Sequence, residues 1–261
     1  MKTIIVPVDF STSSINCAHY AVTMLTGIYD VNLVLFHVYE KEADEEQAWH
    51  LLEKLKDGLA DNGVVKVTCH AEQGDDFTEN LTRFARHRSA QLIVMALNEK
   101  KRLEQIFYSS NTLKIVDLNP CPVMIIPPSA YFGSIKNVAL ASDFKDVDMT
   151  VPTGPIKAVL ELFRPHLHIV NVNSDHYVSL TEEFLAQRAK MAEIFKDYRP
   201  EFYFIGTFDF LDTINQFVSD KQIDMVITVP RSRSFLENLF KGSNTKKLVF
   251  ESSVPVLAAH E

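Results

Sequence analysis

Apolar residues fall along this chain in short dense runs, separated by longer stretches in which they recur at helical spacing. The first run, Thr3 to Val8, is rich in β-branched residues and predicts a buried strand. Ser11, Thr12 and Ser13 then offer side-chain oxygens that suit a helix start, and the pattern carries that helix to about Leu25. Val31 to Val38 predicts a second strand, and Glu45 to Leu59, with leucines at helical spacing, a second helix. Strands are expected over Val64 to His70 and Gln91 to Ala96, with a helix over Asp76 to Arg86 between them. A polar loop, a helix from about Ser109 to Asp117 and a strand over Pro122 to Ile126 close the series. The rest of the chain follows the same order, with strands near Asn137 to Ala141, Leu167 to Val172, Glu201 to Ile205, Asp224 to Val229 and Pro255 to Ala259.

Short apolar strands alternating with amphipathic helices imply a parallel sheet covered on both faces. Right-handed crossovers make such a sheet doubly wound. Its ligands lie outside the carboxyl ends of the strands, where the winding reverses. Two loops therefore matter most in each series, the one after the first strand and the one after the fourth.

The two series also match in sequence. Leu103 to Lys114 reads LEQIFYSSNTLK, and Leu236 to Lys247 reads LENLFKGSNTKK. The offset that carries Leu103 to Leu236 also carries Cys121-Pro122-Val123-Met124 to Val254-Pro255-Val256-Leu257. An offset one residue longer carries Ile4–Phe10, IIVPVDF, to Val138–Phe144, VALASDF. Three matches in the same order imply two homologous domains, residues 1–130 and 134–261, joined where PPSAYFGS supplies turn chemistry.

Composition narrows the function classes. The net charge of −8 argues against non-specific nucleic-acid binding, which needs a basic surface. Cys17, Cys69 and Cys121 are scattered and odd in number, which disfavours a disulfide framework and favours a reducing compartment. The N-terminal apolar run meets Asp9 too early for a signal peptide, and no stretch approaches the ~18 apolar residues that span a bilayer. A cytoplasmic protein with no membrane partner is expected.

Pro7-Val8-Asp9-Phe10-Ser11 at the end of the first strand resembles the opening of the universal stress protein family, as do His37-Val38 at the end of the second. Leu92-Ile93-Val94-Met95-Ala96, Ser109-Ser110-Asn111-Thr112 and Pro122-Val123 extend the resemblance over the first copy. It implies two tandem five-stranded α/β domains of the adenine nucleotide α-hydrolase-like type. In the family the last strand makes the dimer contact. The apolar last strands here, CPVMIIP and VPVLAAH, then imply an intramolecular pseudo-dimer, either monomeric or associated further as a homodimer. In members that bind ATP, the Asp after the first strand contacts adenine. A glycine loop of pattern GxxGx9G(S/T) holds the phosphates, because glycine lets backbone N–H groups approach the oxyanions.

The chain departs from that loop. In the first copy the glycine positions fall on Ala96, Glu99 and Ser109, with Ser110 retained; in the second they fall on Val229, Ser232 and Gly242, with Ser243 retained. The Glu99 carboxylate would repel phosphate, whereas Gly242-Ser243 near Arg231 and Arg233 retains features of an anion site. The candidate nucleotide-binding residues are thus Asp143, Ser232, Gly242 and Ser243, with Asp9 and Ser110 as counterparts in the first copy. No cofactor is firmly implied; ATP or AMP at the second domain is the nucleotide the pattern admits. Two plainer readings stay open: an Asp after a strand also forms turns and caps, and Ser-Asn-Thr before a helix caps it with no ligand. Lys100, Lys101 and Arg102 likewise read either as replacement phosphate donors or as a solvated loop.

No GxxxxGK[ST], GxSxG, HExxH or GxGxxG occurs, and no base–nucleophile pair supports an enzyme. His166 and His168 share a strand face but lack an obvious third metal ligand. Cys17 and Cys121 are expected in the core. The resemblance implies a stress-response protein acting by binding, with a nucleotide or a protein as partner. The alternatives are slow ATP hydrolysis at the second domain and a ligand-free interaction module.

Overall fold

The computed structural model describes residues 1–60, 65–97, 110–127, 130–173, 181–206, 210–229 and 254–259. The chain divides into two compact units, Met1–Gly133 and Ser134–Glu261.

In the first unit, β1 (Lys2–Pro7), α1 (Thr12–Leu25), β2 (Val31–Tyr39), α2 (Glu45–Ala60), β3 (Lys66–Gln73), α3 (Phe77–His87), β4 (Leu92–Ala96), α4 (Ser110–Leu118) and β5 (Val123–Ile126) follow in order. The strands lie parallel in the order β3-β2-β1-β4-β5. Ile4 of β1 stands between Leu33 of β2 and Leu92 of β4, all three fully buried. Burial of the central strands from both faces explains why they read as continuous apolar runs. The helix starts are set by capping. Ser11 Oγ accepts from Ser14 N at 3.2 Å to open α1. Asp76 accepts from Thr78 N at 2.8 Å and Glu79 N at 3.1 Å to open α3.

The second unit contains β6 (Asn137–Ala141), α5 (Val147–Thr150), α6 (Thr153–Phe163), β7 (His166–Asn173), α7 (Glu182–Ile194), β8 (Glu201–Gly206), α8 (Phe210–Asp220), β9 (Met225–Thr228) and β10 (Val256–Ala258). Its parallel order is β8-β7-β6-β9-β10, the same winding as in the first unit. The α/β class and the doubly wound parallel sheets are those the sequence pattern predicts. The chain enters β6 under a clamp: Asp224 Oδ2 accepts from Lys136 N at 2.7 Å and from Asn137 N at 2.9 Å.

Most boundaries shift by a residue or two, and three features bear on the architecture. β3 ends at Gln73 rather than His70, because pairing with β2 continues to Tyr39 opposite Gln73 although the side chains turn polar. β5 opens at Val123, so Cys121 sits half-buried just before the strand and not at its start. The single helix α1 corresponds to two pieces in the second unit, α5 and α6. Pro152 forces Val151 to extended angles, φ −104° and ψ 112°, and ends α5 after one turn.

Candidate functional site

In each unit the winding reverses between the first and fourth strands, so the turn that leaves the first strand borders the crevice. After β1 the chain runs through Asp9 and Phe10 into the cap of α1. Asp9 Oδ1 accepts from Ser11 N at 3.0 Å and from Ser11 Oγ at 2.5 Å. The Ser11 hydroxyl gives its only proton to Asp9, leaving its lone pairs for Ser14 N. One carboxylate thereby orients the residue that starts the helix. Phe10 lies between them at a left-handed φ of 59°, a conformation costly for a residue with a Cβ.

After β6 the turn has the same shape and different chemistry. Phe144 takes φ 55°. Asp143 Oδ1 accepts from Lys145 N at 3.1 Å, and Ser142 Oγ accepts from Phe144 N at 3.2 Å. Lys145 stands at the position of Ser11 and has no oxygen with which to cap a helix.

A side-chain latch fixes each turn from the neighbouring strand. His37 Nδ1 lies 2.8 Å from the Val8 carbonyl oxygen, which can only accept, so Nδ1 carries the proton. In the second unit the shared register puts Asn171 at the position of His37, and Asn171 Nδ2 donates to the Ser142 carbonyl at 3.0 Å. Two different side chains make one bond at one place. The sequence shows His37-Val38 and Asn171-Val172 at matching strand ends, but not that their partner is a backbone carbonyl.

The sequence profile of the Universal stress protein family matches residues 1–127. The first unit is thus similar to universal stress proteins over nearly its whole length. Universal stress protein Sll1654 from Synechocystis sp. is 28% identical over 137 residues, covering 48% of this chain and 85% of that protein. Among solved structures, a universal stress protein from Archaeoglobus fulgidus aligns with a TM-score of 0.70 at 16% identity, over 99% of this chain and 96% of that one. The cytoplasmic domain of a prokaryotic cation chloride cotransporter aligns at 0.53 and 11% identity, over 99% and 95%. At these identities the structural likenesses show the fold of the whole chain and nothing further.

Within the first unit, Asp9 sits at the crevice turn, while Ala96 ends β4 and Ser110 opens α4. In the second unit Asp143 sits at the equivalent turn, and Val229 directly follows β9. Glu99, Ser109, Ser232, Gly242 and Ser243 lie outside the described residues, as do the basic residues Lys100, Lys101, Arg102, Arg231 and Arg233. The structure thus brings the two aspartates to the expected turns, each engaged with its own backbone.

The remaining chemistry is structural. Cys17 is buried at 1% exposure and its thiol is pushed far up by burial. Burial raises Cys69 and Cys121 to about 12, so none of the three is a thiolate near neutrality. His166 and His168 do share a face, their rings 4.5 Å apart. His166 Nε2 pairs with Glu201 Oε1 at 3.2 Å, and His168 Nδ1 lies 3.3 Å from the Tyr203 hydroxyl. Among the described residues no group of three His, Cys, Asp or Glu side chains is arranged to hold a metal ion. No described helix is long and apolar enough to cross a membrane.

Proposed function

We propose that the chain is a tandem universal stress protein-type regulator that acts in the stress response by binding a ligand or a protein partner rather than by catalysis. Nucleotide binding is weak or lost in its first unit. The observation that carries this reading is the use already made of Asp9, whose carboxylate holds both the amide and the hydroxyl of Ser11 at the start of α1. Ala96 at the end of β4 adds to it, because a Cβ there stands where a glycine would admit a phosphate. Any adenine nucleotide, ATP or AMP, is assigned to the second unit, on Asp143, Ser232, Gly242 and Ser243. Asp9 and Ser110 are the diminished counterparts.

Calorimetry of the whole chain with ATP, ADP and AMP tests this. Weak nucleotide heat is expected, abolished by Gly242→Val and unchanged by Asp9→Ala. Tight ATP binding that disappears with Asp9→Ala would overturn the assignment. Silence with all three nucleotides would leave the protein-partner form of the proposal.

A further inference from the structure

We infer that the first unit carries a binding site for a small organic cation, a primary amine or a guanidine, on the α2 side of its sheet. The inference is independent of the nucleotide assignment. A cleft of about 250 Å³ opens between the β1 turn, the end of β2 and the start of α2. Its walls are Phe10, His37 and Tyr39, and its polar rim is Glu40, Asp44 and Gln47. Strand alternation separates this cleft from the opposite face of the sheet, where Phe36 packs on Phe84 of α3 with ring centroids 5.0 Å apart.

The chemistry of the lining selects for a cation. Glu40 and Asp44 supply carboxylates, and among the described residues no lysine or arginine lines the cleft. The Nδ1 position of His37 is committed to the Val8 carbonyl, which leaves Nε2 as the ring nitrogen without that bond. The rings of Phe10 and Tyr39 add the negative faces that attract ammonium and guanidinium groups. Burial and the carboxylates of Glu45 and Glu42 push the Tyr39 phenol up, so the local field is negative beyond the rim itself. A phosphate would find no positive partner there.

The second unit serves as an internal control. At the equivalent place Phe144 is 2% exposed. Its ring lies 5.4 Å from Phe184, 5.6 Å from Phe204 and 6.0 Å from Phe202. The register pairs Asn171 with Phe204, as it pairs His37 with Ala71. Likewise Cys69 in β3 corresponds to Phe202 in β8. The frame thus admits an enclosed ring at this turn, made by Phe202 and Phe204 of β8 with Phe184 of α7, whereas the first unit places the smaller Cys69 and Ala71 on β3. It also holds the Phe10 ring half-exposed over the opening, 4.7 Å from His37, on a left-handed backbone.

Titration of the whole chain with agmatine, followed by calorimetry, tests the site, with AMP as the anionic control. One saturable agmatine site is expected. The paired substitution Glu40→Gln and Asp44→Asn, at exposed positions, should weaken it about tenfold or more by removing both charges. Ala71→Phe, which brings in the ring the second unit uses, should abolish it. No saturable agmatine binding in the natural sequence would overturn the inference. So would binding that survives the paired substitution, or agmatine that AMP displaces. The paired exposed substitution keeps the test decisive even if Ala71→Phe does not fold.

Discussion

Phe10 and Phe144 each follow an aspartate at the end of the first strand of a unit, and each takes a left-handed backbone, at φ 59° and 55°. In the second unit the ring is enclosed by three other phenylalanines, while in the first it borders an open cleft. The backbone of the turn and the latch from the second strand are common to both, so neither explains the difference. It comes from the neighbouring edge strand, with Cys69 and Ala71 in β3 against Phe202 and Phe204 in β8, and from Phe184 of α7. A positive φ at a bulky residue is tolerated where the surroundings over-determine it. In the second unit aromatic packing does so, whereas in the first the Ser11 cap and the His37 latch do it with little help from the ring.

The largest effect that would sharpen this contrast is loss of the enclosed ring. Phe144→Ala should destabilise the second unit by about 3–5 kcal/mol. Phe10→Ala, at a half-exposed site, should cost under about 1 kcal/mol. Urea unfolding of the two variants measures both, and equal costs would break the comparison. The latch comes next. His37→Ala leaves the Val8 carbonyl without its donor and should cost about 1–3 kcal/mol. His37→Asn should recover most of that loss, because Asn171 makes the same bond in the second unit. An Asn variant as unstable as the Ala variant would show that the ring, and not the hydrogen bond, supports the turn.

The smallest effect is one of pH and is confined to the second unit. His168 is 5% exposed, and among the described residues its Nε2 has no hydrogen-bond partner. Tyr203 donates its proton to Glu201, so its oxygen accepts from His168 Nδ1 and leaves Nε2 bare. Burial first, then His166 and Lys221, holds His168 below the ordinary value of 6.5, while Glu201 pulls the other way. The unfolded chain therefore takes up a proton before the folded one does. The contribution to stability is complete above about pH 6.5 and is lost as the pH falls through the folded value. Urea midpoints should drop as the pH is lowered from about 7.5 to about 5.5, and His168→Phe should flatten the drop. An unchanged slope in that variant would assign the acid sensitivity to other groups.

Much of the frame was legible because burial from both faces writes strands as apolar runs, and residues such as Ser11 and Asp76 mark helix starts. The end of β3 was not legible, because its last residues are polar and stay in the sheet only through pairing with β2. The crevice turns were readable as turn chemistry, and Asp9 and Asp143 do make turn bonds. The His37 latch was hidden because a backbone carbonyl leaves no mark in a side-chain pattern. The filling around Phe144 was hidden for a different reason: it needs the register of β7 on β8, and a shift of one residue would send both phenylalanines to the other face.

The two amides that Asp224 holds belong to Lys136, the last residue before β6, and Asn137, its first, just after the proline- and serine-rich stretch that joins the units. This fixes where the gene can be divided. A C-terminal fragment beginning at Ser134 retains Lys136 and Asn137 as donors to the carboxylate. One beginning at Val138 discards both and leaves Asp224 facing the raw end of a central strand, so the two fragments should differ sharply in yield although they differ by only a few residues at one terminus.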